Sequence, residues 1–298
     1  MTMRVTQNAV TSLMLAGLQG NQSRLSTLEQ QLSSGKQINK PSDDPVGTDQ
    51  AMRFRTDISR NTQYQRNAQD GLSWLGTADN ALQSGVSILQ RLQTLTTQAA
   101  NTGSGNSTSR AAIATEVASL KQQMMSVANT TYLGRPIFGG TTPNDTAYIQ
   151  DANGVVSYQG DSGAVMRTVA DNTQVQVNIS NTAAFGAAGS DVFSMFDQIG
   201  SDLQSNQGNL SNDLSSISDA LGRMTSAQAT EGAAYNRITA LNTSSTNLVT
   251  NLTSNLSSVE DVDTVKAITD FTMQQASYQA SLSAMSQVLQ LSLTAFLK

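Results

Sequence analysis

The sequence predicts a mainly α fold: an elongated rod of long coiled-coil-like helices from both termini, with a small antiparallel β module inserted in the middle. Three observations carry that prediction. Apolar residues return at alternating spacings of three and four along most of the chain, the pattern of helices that pack side by side. One central stretch changes to period two. The composition also leaves little bulk for a thick globular core: of 298 residues, 38% are hydrophobic and 5% aromatic, whereas Ser, Thr, Asn and Gln together number 121.

The first helical segment places Met14, Leu18, Leu25, Leu28 and Leu32 on one seam, with polar Asn21 filling the remaining position. A single seam Asn is a device that fixes register. Gly35 supplies the stop, because a glycine just past the last turn takes the left-handed conformation without a steric cost. In Asn39-Lys40-Pro41-Ser42-Asp43-Asp44-Pro45 the chain restarts, with Asp44 as the cap and Pro45 at the first helical position, where a missing N–H costs nothing. The second helix carries Ile58, Ala68, Leu72, Leu75, Leu82, Val86 and Leu89 and frays near Asn101. A third puts Ile113, Val117, Leu120, Met124 and Val127 on one stripe.

From about Tyr148 to Ile179 the alternation predicts strands at Val155–Tyr158, Val165–Val169 and Gln174–Ile179, separated by turns at Asn153-Gly154, Gly160–Gly163 and Asp171-Asn172. A short helix with Val192, Phe196, Ile199 and Leu203 follows. A very long one then runs from about Leu214 to Val259, its seam interrupted by Gln228, Glu231, Asn242 and Ser245. The last segment carries Ile268, Phe271, Tyr278, Leu282, Met285, Leu289 and Phe296. The expected organisation is an N-terminal arm (1–44) pairing with a C-terminal arm (259–298), around a helical core (45–258) that includes the β module at about 141–190. A few seam side chains do not offset the entropy of ordering each arm. The arms are therefore expected to fray in the monomer and to order when buried among neighbours.

Several function classes are excluded. The chain has no Cys and no His, which removes disulfides, thiolate chemistry, imidazole metal ligands and Ser-His or Cys-His pairs. A formal net charge of -5, with 17 basic residues spread along the chain, makes no phosphate-binding patch for nucleic acid. Neither a secretory signal nor a membrane span is expected from the apolar stretches present. No enzyme activity, cofactor or metal is predicted.

Asp161-Ser162-Gly163 has the string found around a protease nucleophile, but a Ser nucleophile needs a base within reach, so the turn reading is preferred. Asp43-Asp44, and Glu260-Asp261 with Asp263, are read as helix caps and dipole partners rather than a metal site. Met14, Met124, Met224 and Met285 fall on seams and are read as core filler.

Leu32-Ser33-Ser34-Gly35-Lys36-Gln37-Ile38-Asn39-Lys40-Pro41-Ser42-Asp43-Asp44-Pro45 resembles the N-terminal motif of the bacterial flagellin family. The Pro41–Pro45 form is nearer to the hook-associated members than to filament subunits. Tyr132–Gly140, and Asp261–Asp263 running into Thr272–Ser281, resemble the same family. The resemblance implies a structural protein of the bacterial flagellum, extracellular, handled by an export chaperone and the type III export apparatus. It implies a position at the hook-filament junction, between hook-associated protein 1 and flagellin, in a ring of about eleven copies. The alternative within the family is a filament subunit. On either reading the assembly interface is the pair of arms: Met14, Leu18, Asn21, Leu25, Leu28 and Leu32 with Ile268, Phe271, Tyr278, Leu282, Met285, Leu289 and Phe296. Pro41, Asp43, Asp44 and Pro45 form the expected hinge, since two prolines restrict the backbone there.

Overall fold

The computed structural model of the chain describes residues 7–101, 107–205 and 209–296, with side chains described from residue 11 to residue 287. The chain divides into two units: Met1–Arg60 with Leu248–Lys298, and Asn61–Asn247.

The first unit contains α1 (Gln7–Ser34), the opening of α2 (Pro45–Asn101), the end of α6 (Leu210–Glu260) and α7 (Thr264–Phe296). α1 stops where the sequence predicts: Gly35 has φ 70, and its N–H donates to the Gln31 carbonyl at 2.9 Å. α2 starts at Pro45, and Asp44 Oδ1 accepts from the backbone N–H groups of Val46 and Gly47, each at 3.0 Å. These are donors that the helix itself leaves without partners. α7 begins in the same way, with Asp263 Oδ1 accepting from Val265 and Lys266 at 3.1 Å. α1 and α7 pack against each other. An antiparallel bridge between Lys36 and Asp261 joins the loops at their base.

The second unit is built on α2 and α6 running antiparallel, with α3 (Ser107–Ala128) and α5 (Val192–Ser205) beside them. Ser245 Oγ donates to the Asn61 carbonyl at 3.3 Å and Gln228 Nε2 to Asp79 Oδ1 at 2.7 Å, which sets that direction. α6 turns Ile217, Ala220, Met224, Ala227 and Ile238 inward at helical spacing, onto Leu75, Leu82, Leu89 and Leu92 of α2. α3 buries Ile113, Val117, Leu120 and Met124, in agreement with the predicted stripe, while Ala128 rather than Val127 completes it.

The β module is three separate antiparallel pairs: β1 (Thr131–Tyr132) with β2 (Arg135–Pro136), β3 (Tyr148–Gln150) with β4 (Val156–Tyr158), and β5 (Met166–Ala170) with β6 (Thr173–Gln176). The turns at Asn153-Gly154 and Asp171-Asn172 stand where the alternation places them, and Asn172 adopts φ 52. Gly160–Gly163, expected as a hairpin turn, instead links two ladders that do not pair with each other. Asp161 holds that link. Its carboxylate accepts from Thr141 N, Thr141 Oγ1 and Gly163 N at 2.7 to 2.8 Å, and these hydrogen bonds pull its pKa below the usual range.

Isolated two-stranded ladders are marginal in water, so side chains dock these onto the helices. Asn129 takes the Ala147 and Tyr148 backbone N–H groups on its Oδ1 and donates to the Tyr148 carbonyl at 2.8 Å. Asp70 of α2 receives Arg167 Nε at 2.6 Å and Tyr132 Oη at 3.2 Å. Buried Lys121 of α3 donates to Asp197 of α5 and to the Gly154 carbonyl. The scarce aromatic residues collect here: Tyr148 packs against Tyr158, Phe185 and Phe193 with ring centroids 5.0 to 5.6 Å apart. Burial pushes the Tyr148 hydroxyl upward in pKa and that of Tyr158 up to about 12.

Candidate assembly surface

The sequence pattern places function on the terminal helices, and the two arms differ in how closely their inner faces follow that pattern. On α1, Met14, Leu18, Asn21, Leu25, Leu28 and Leu32 are all half-buried. Asn21 sits at the centre. Its Nδ2 donates to Ser281 Oγ at 3.0 Å, while Gln274 Nε2 donates to its side-chain and backbone oxygens at 3.1 and 3.2 Å. A polar position satisfied only in this register tethers the two helices against slipping.

Among the described residues of α7 the half-buried positions are Asp270, Phe271, Gln274, Tyr278, Ser281 and Met285, with Ala267 fully buried. Phe271, Tyr278 and Met285 thus stand on the inner face. Ile268 and Leu282 do not: they are 54% and 43% exposed. Their expected seam places are taken by Ala267 and Ser281, the latter recruited by Asn21. The side chains of Leu289 and Phe296 lie outside the described residues.

The outward apolar surface is larger than these two residues. Within the first unit Leu13, Leu15, Val46, Met52, Leu248, Val265 and Met273 are also exposed, while Ala51 and Ala267 are its fully buried apolar residues among those described. Scattered single apolar residues are ordinary on a protein surface. A helical pair that buries so little and exposes so much has its apolar surface turned outward.

The base of the pair is tied by charge. Glu260, 4% exposed, ends α6 and accepts from both Lys36 and Arg55. Its carbonyl receives the Gln37 N–H at 2.7 Å, and Val262 N–H donates to the Gly35 carbonyl at 3.0 Å. An anion at a helix C-terminus opposes the helix dipole, and the two cations offset it. Glu260 therefore is not a cap of the kind expected for it; Asp44 and Asp263 are. Asp43 closes the expected hinge on itself, its Oδ2 taking the N–H groups of Asn39 and Lys40 at 3.1 and 2.8 Å. Pro41 and Pro45 are exposed on either side of this closed turn.

The comparisons with known proteins meet this geometry at the same helices. The family descriptions of the bacterial flagellin N-terminal and C-terminal helical regions match residues 5–142 and 201–297. The chain belongs to the flagellin family. Flagellin of Bacillus subtilis is 29% identical over 302 residues, spanning 96% of each chain. Flagellar hook-associated protein 3 of Salmonella typhimurium is 24% identical, spanning 94% of this chain and 95% of that one. Among solved structures, flagellar hook associated protein-3 of Legionella pneumophila superposes with a TM-score of 0.64 at 16% identity, over 70% of this chain and 98% of its own. This flagellin-family chain is a structural component of the bacterial flagellum and not an enzyme. Among the described residues no helix is long and apolar enough to cross a membrane.

Proposed function

We propose that this chain forms the junction between hook and filament, with hook-associated protein 1 below it and flagellin above. The carrying observation is the exposed apolar surface of α1 and α7, in a chain related along nearly its whole length to flagellar hook-associated protein 3. Packing these arms against neighbouring copies buries Leu13, Val265, Ile268 and Leu282, and releases the free energy that a single helical pair leaves in contact with water. The closed Pro41–Pro45 turn sets the direction in which α1 leaves α2, and so works as a fixed elbow. The chain is secreted through the type III apparatus with the help of an export chaperone.

A filament subunit is the second reading, favoured by the higher identity to Bacillus subtilis flagellin. The two readings differ in self-association. A filament subunit stacks on itself in a head-to-tail contact that propagates, whereas a junction subunit meets different partners above and below and disfavours self-stacking. Electron microscopy of the purified chain under conditions that polymerise flagellin separates them. Monomers or short rings are expected; long homopolymeric filaments would establish the filament reading instead.

A further inference from the structure

α6 carries two carboxyl groups on the face it turns into the core of the second unit. Asp213 and Glu231 are 5% and 4% exposed, and five helical turns of about 3.6 residues put them on the same side of the helix. Each meets another acid. Asp79 of α2 faces Glu231 with both oxygens already serving as acceptors, Oδ1 from Gln228 Nε2 at 2.7 Å and Oδ2 from Gln83 Nε2 at 2.6 Å. Asp202 of α5 faces Asp213, and its Oδ2 accepts from Gln198 Nε2 at 3.0 Å. Asp213 Oδ2 is fully buried and has no partner. An ionised carboxylate can only accept, so two of them cannot satisfy each other; with one proton, one donates and the other accepts.

Three cations of this unit are committed to other acids. Arg223 and Arg237 line the same hollows as the buried acids without an ion pair to them, and Arg223 Nε is itself buried without a hydrogen-bond partner. Lys121 is paired with Asp197, Arg167 with Asp70, and Arg91 with Glu116. Arg223 and Arg237 share a groove of about 1040 Å³ with Glu231, Asp219, Gln176 and Asn178. On the helix they stand eight residues before Glu231 and six after it, about 12 and 9 Å along the axis. Asp213 shares a smaller hollow with Asp191, Asp219 and Arg223, the last ten residues away or about 15 Å along the axis. Among the described residues neither buried acid has an ion pair.

We propose that Glu231 with Asp79, and Asp213 with Asp202, each hold one proton between two carboxyl groups, clasping α6 to α2 and to α5, so that the second unit tightens in acid and loosens in base. Burial, reinforced by the Asp79 carboxylate, pushes the Glu231 carboxyl up to about 7; burial and Asp202 push Asp213 up to about 6. In the unfolded chain both return to the ordinary carboxylate range near about 4. The native state therefore binds protons more tightly than the unfolded state. The contribution is complete below about pH 4 and is lost as the pH rises through the range of about 6 to 7.

Trp74, the single tryptophan, lies 1% exposed in α2 within this unit and reports its unfolding. In thermal unfolding of the full chain followed by Trp74 fluorescence, Tm should fall by about 5 °C or more between about pH 5 and about pH 9. The double variant Asp213→Asn with Glu231→Gln should flatten that slope, because a carboxamide donates at any pH. A wild-type Tm that stays level or rises over this interval, or an unchanged slope in the double variant, would overturn the proposal. Should the double variant not fold, carboxyl-carbon NMR titration of the wild-type chain decides: a Glu231 midpoint near about 7 supports the clasp, and one near about 4 rules it out.

Discussion

The two units use the same helical vocabulary to opposite ends. In Asn61–Asn247, α2 and α6 bury Leu75, Leu82, Leu89, Ile217, Met224 and Ile238 against α3, α5 and the hairpins, and the single Trp and most of the aromatic contacts lie inside. In the unit formed by the two ends of the chain, Ala51 and Ala267 are the fully buried apolar residues among those described, while nine large ones face outward. What differs is the number of partners: a helix among several neighbours buries most of its circumference, and a helix in a pair buries one stripe. Asn61–Asn247 is thus a fold on its own, whereas the unit formed by the two ends leaves nine large apolar residues in contact with solvent.

That contrast is most sharply broken or sustained by substitutions of one residue type in the two settings. Leu82→Ala, at a fully buried position of α2, should cost about 2–5 kcal/mol in Trp74-detected unfolding, through lost burial and the cavity left behind. Flagellar incorporation should fall only as far as the folded population does. Leu282→Glu should do the reverse. It should move Trp74-detected unfolding by less than about 0.5 kcal/mol, as for an exposed site, while abolishing incorporation, because a charge dehydrated without a partner is costly wherever copies pack around it. Normal motility in a Leu282→Glu strain would remove the arms from the assembly interface.

How far the sequence discloses this depends on what occupies the seam. α1 reads correctly because five of its six seam positions are apolar and the sixth, Asn21, is of a type known to set register. On α7 the pattern does not show which apolar residues face α1, because Gln274 and Ser281 occupy inner positions as hydrogen-bonding partners of Asn21, while the apolar Ile268 and Leu282 lie outside. A hydrophobic pattern alone does not tell an apolar residue on the inner face of a helix pair from one on its outer face. The β1–β2 hairpin was not expected from alternation, since each strand has two residues; its signal was Leu133-Gly134, both at positive φ (49 and 77), as a two-residue turn requires. The clasped acids were visible only in part: Glu231 stood out as a seam interruption, but its partner Asp79 lies far away along the sequence and is brought to it by the antiparallel pairing of α2 with α6.

The central claim is that the terminal helices complete their burial only on assembly. Hydrogen exchange of the full-length monomer, read by fragment mass spectrometry, tests it without a substitution. Amides around Leu25 and Leu282 should exchange several orders of magnitude faster than those around Leu82 and Met224, because opening a lone helical pair costs far less than opening the core. Protection at Leu25 and Leu282 equal to that of the core would contradict the account.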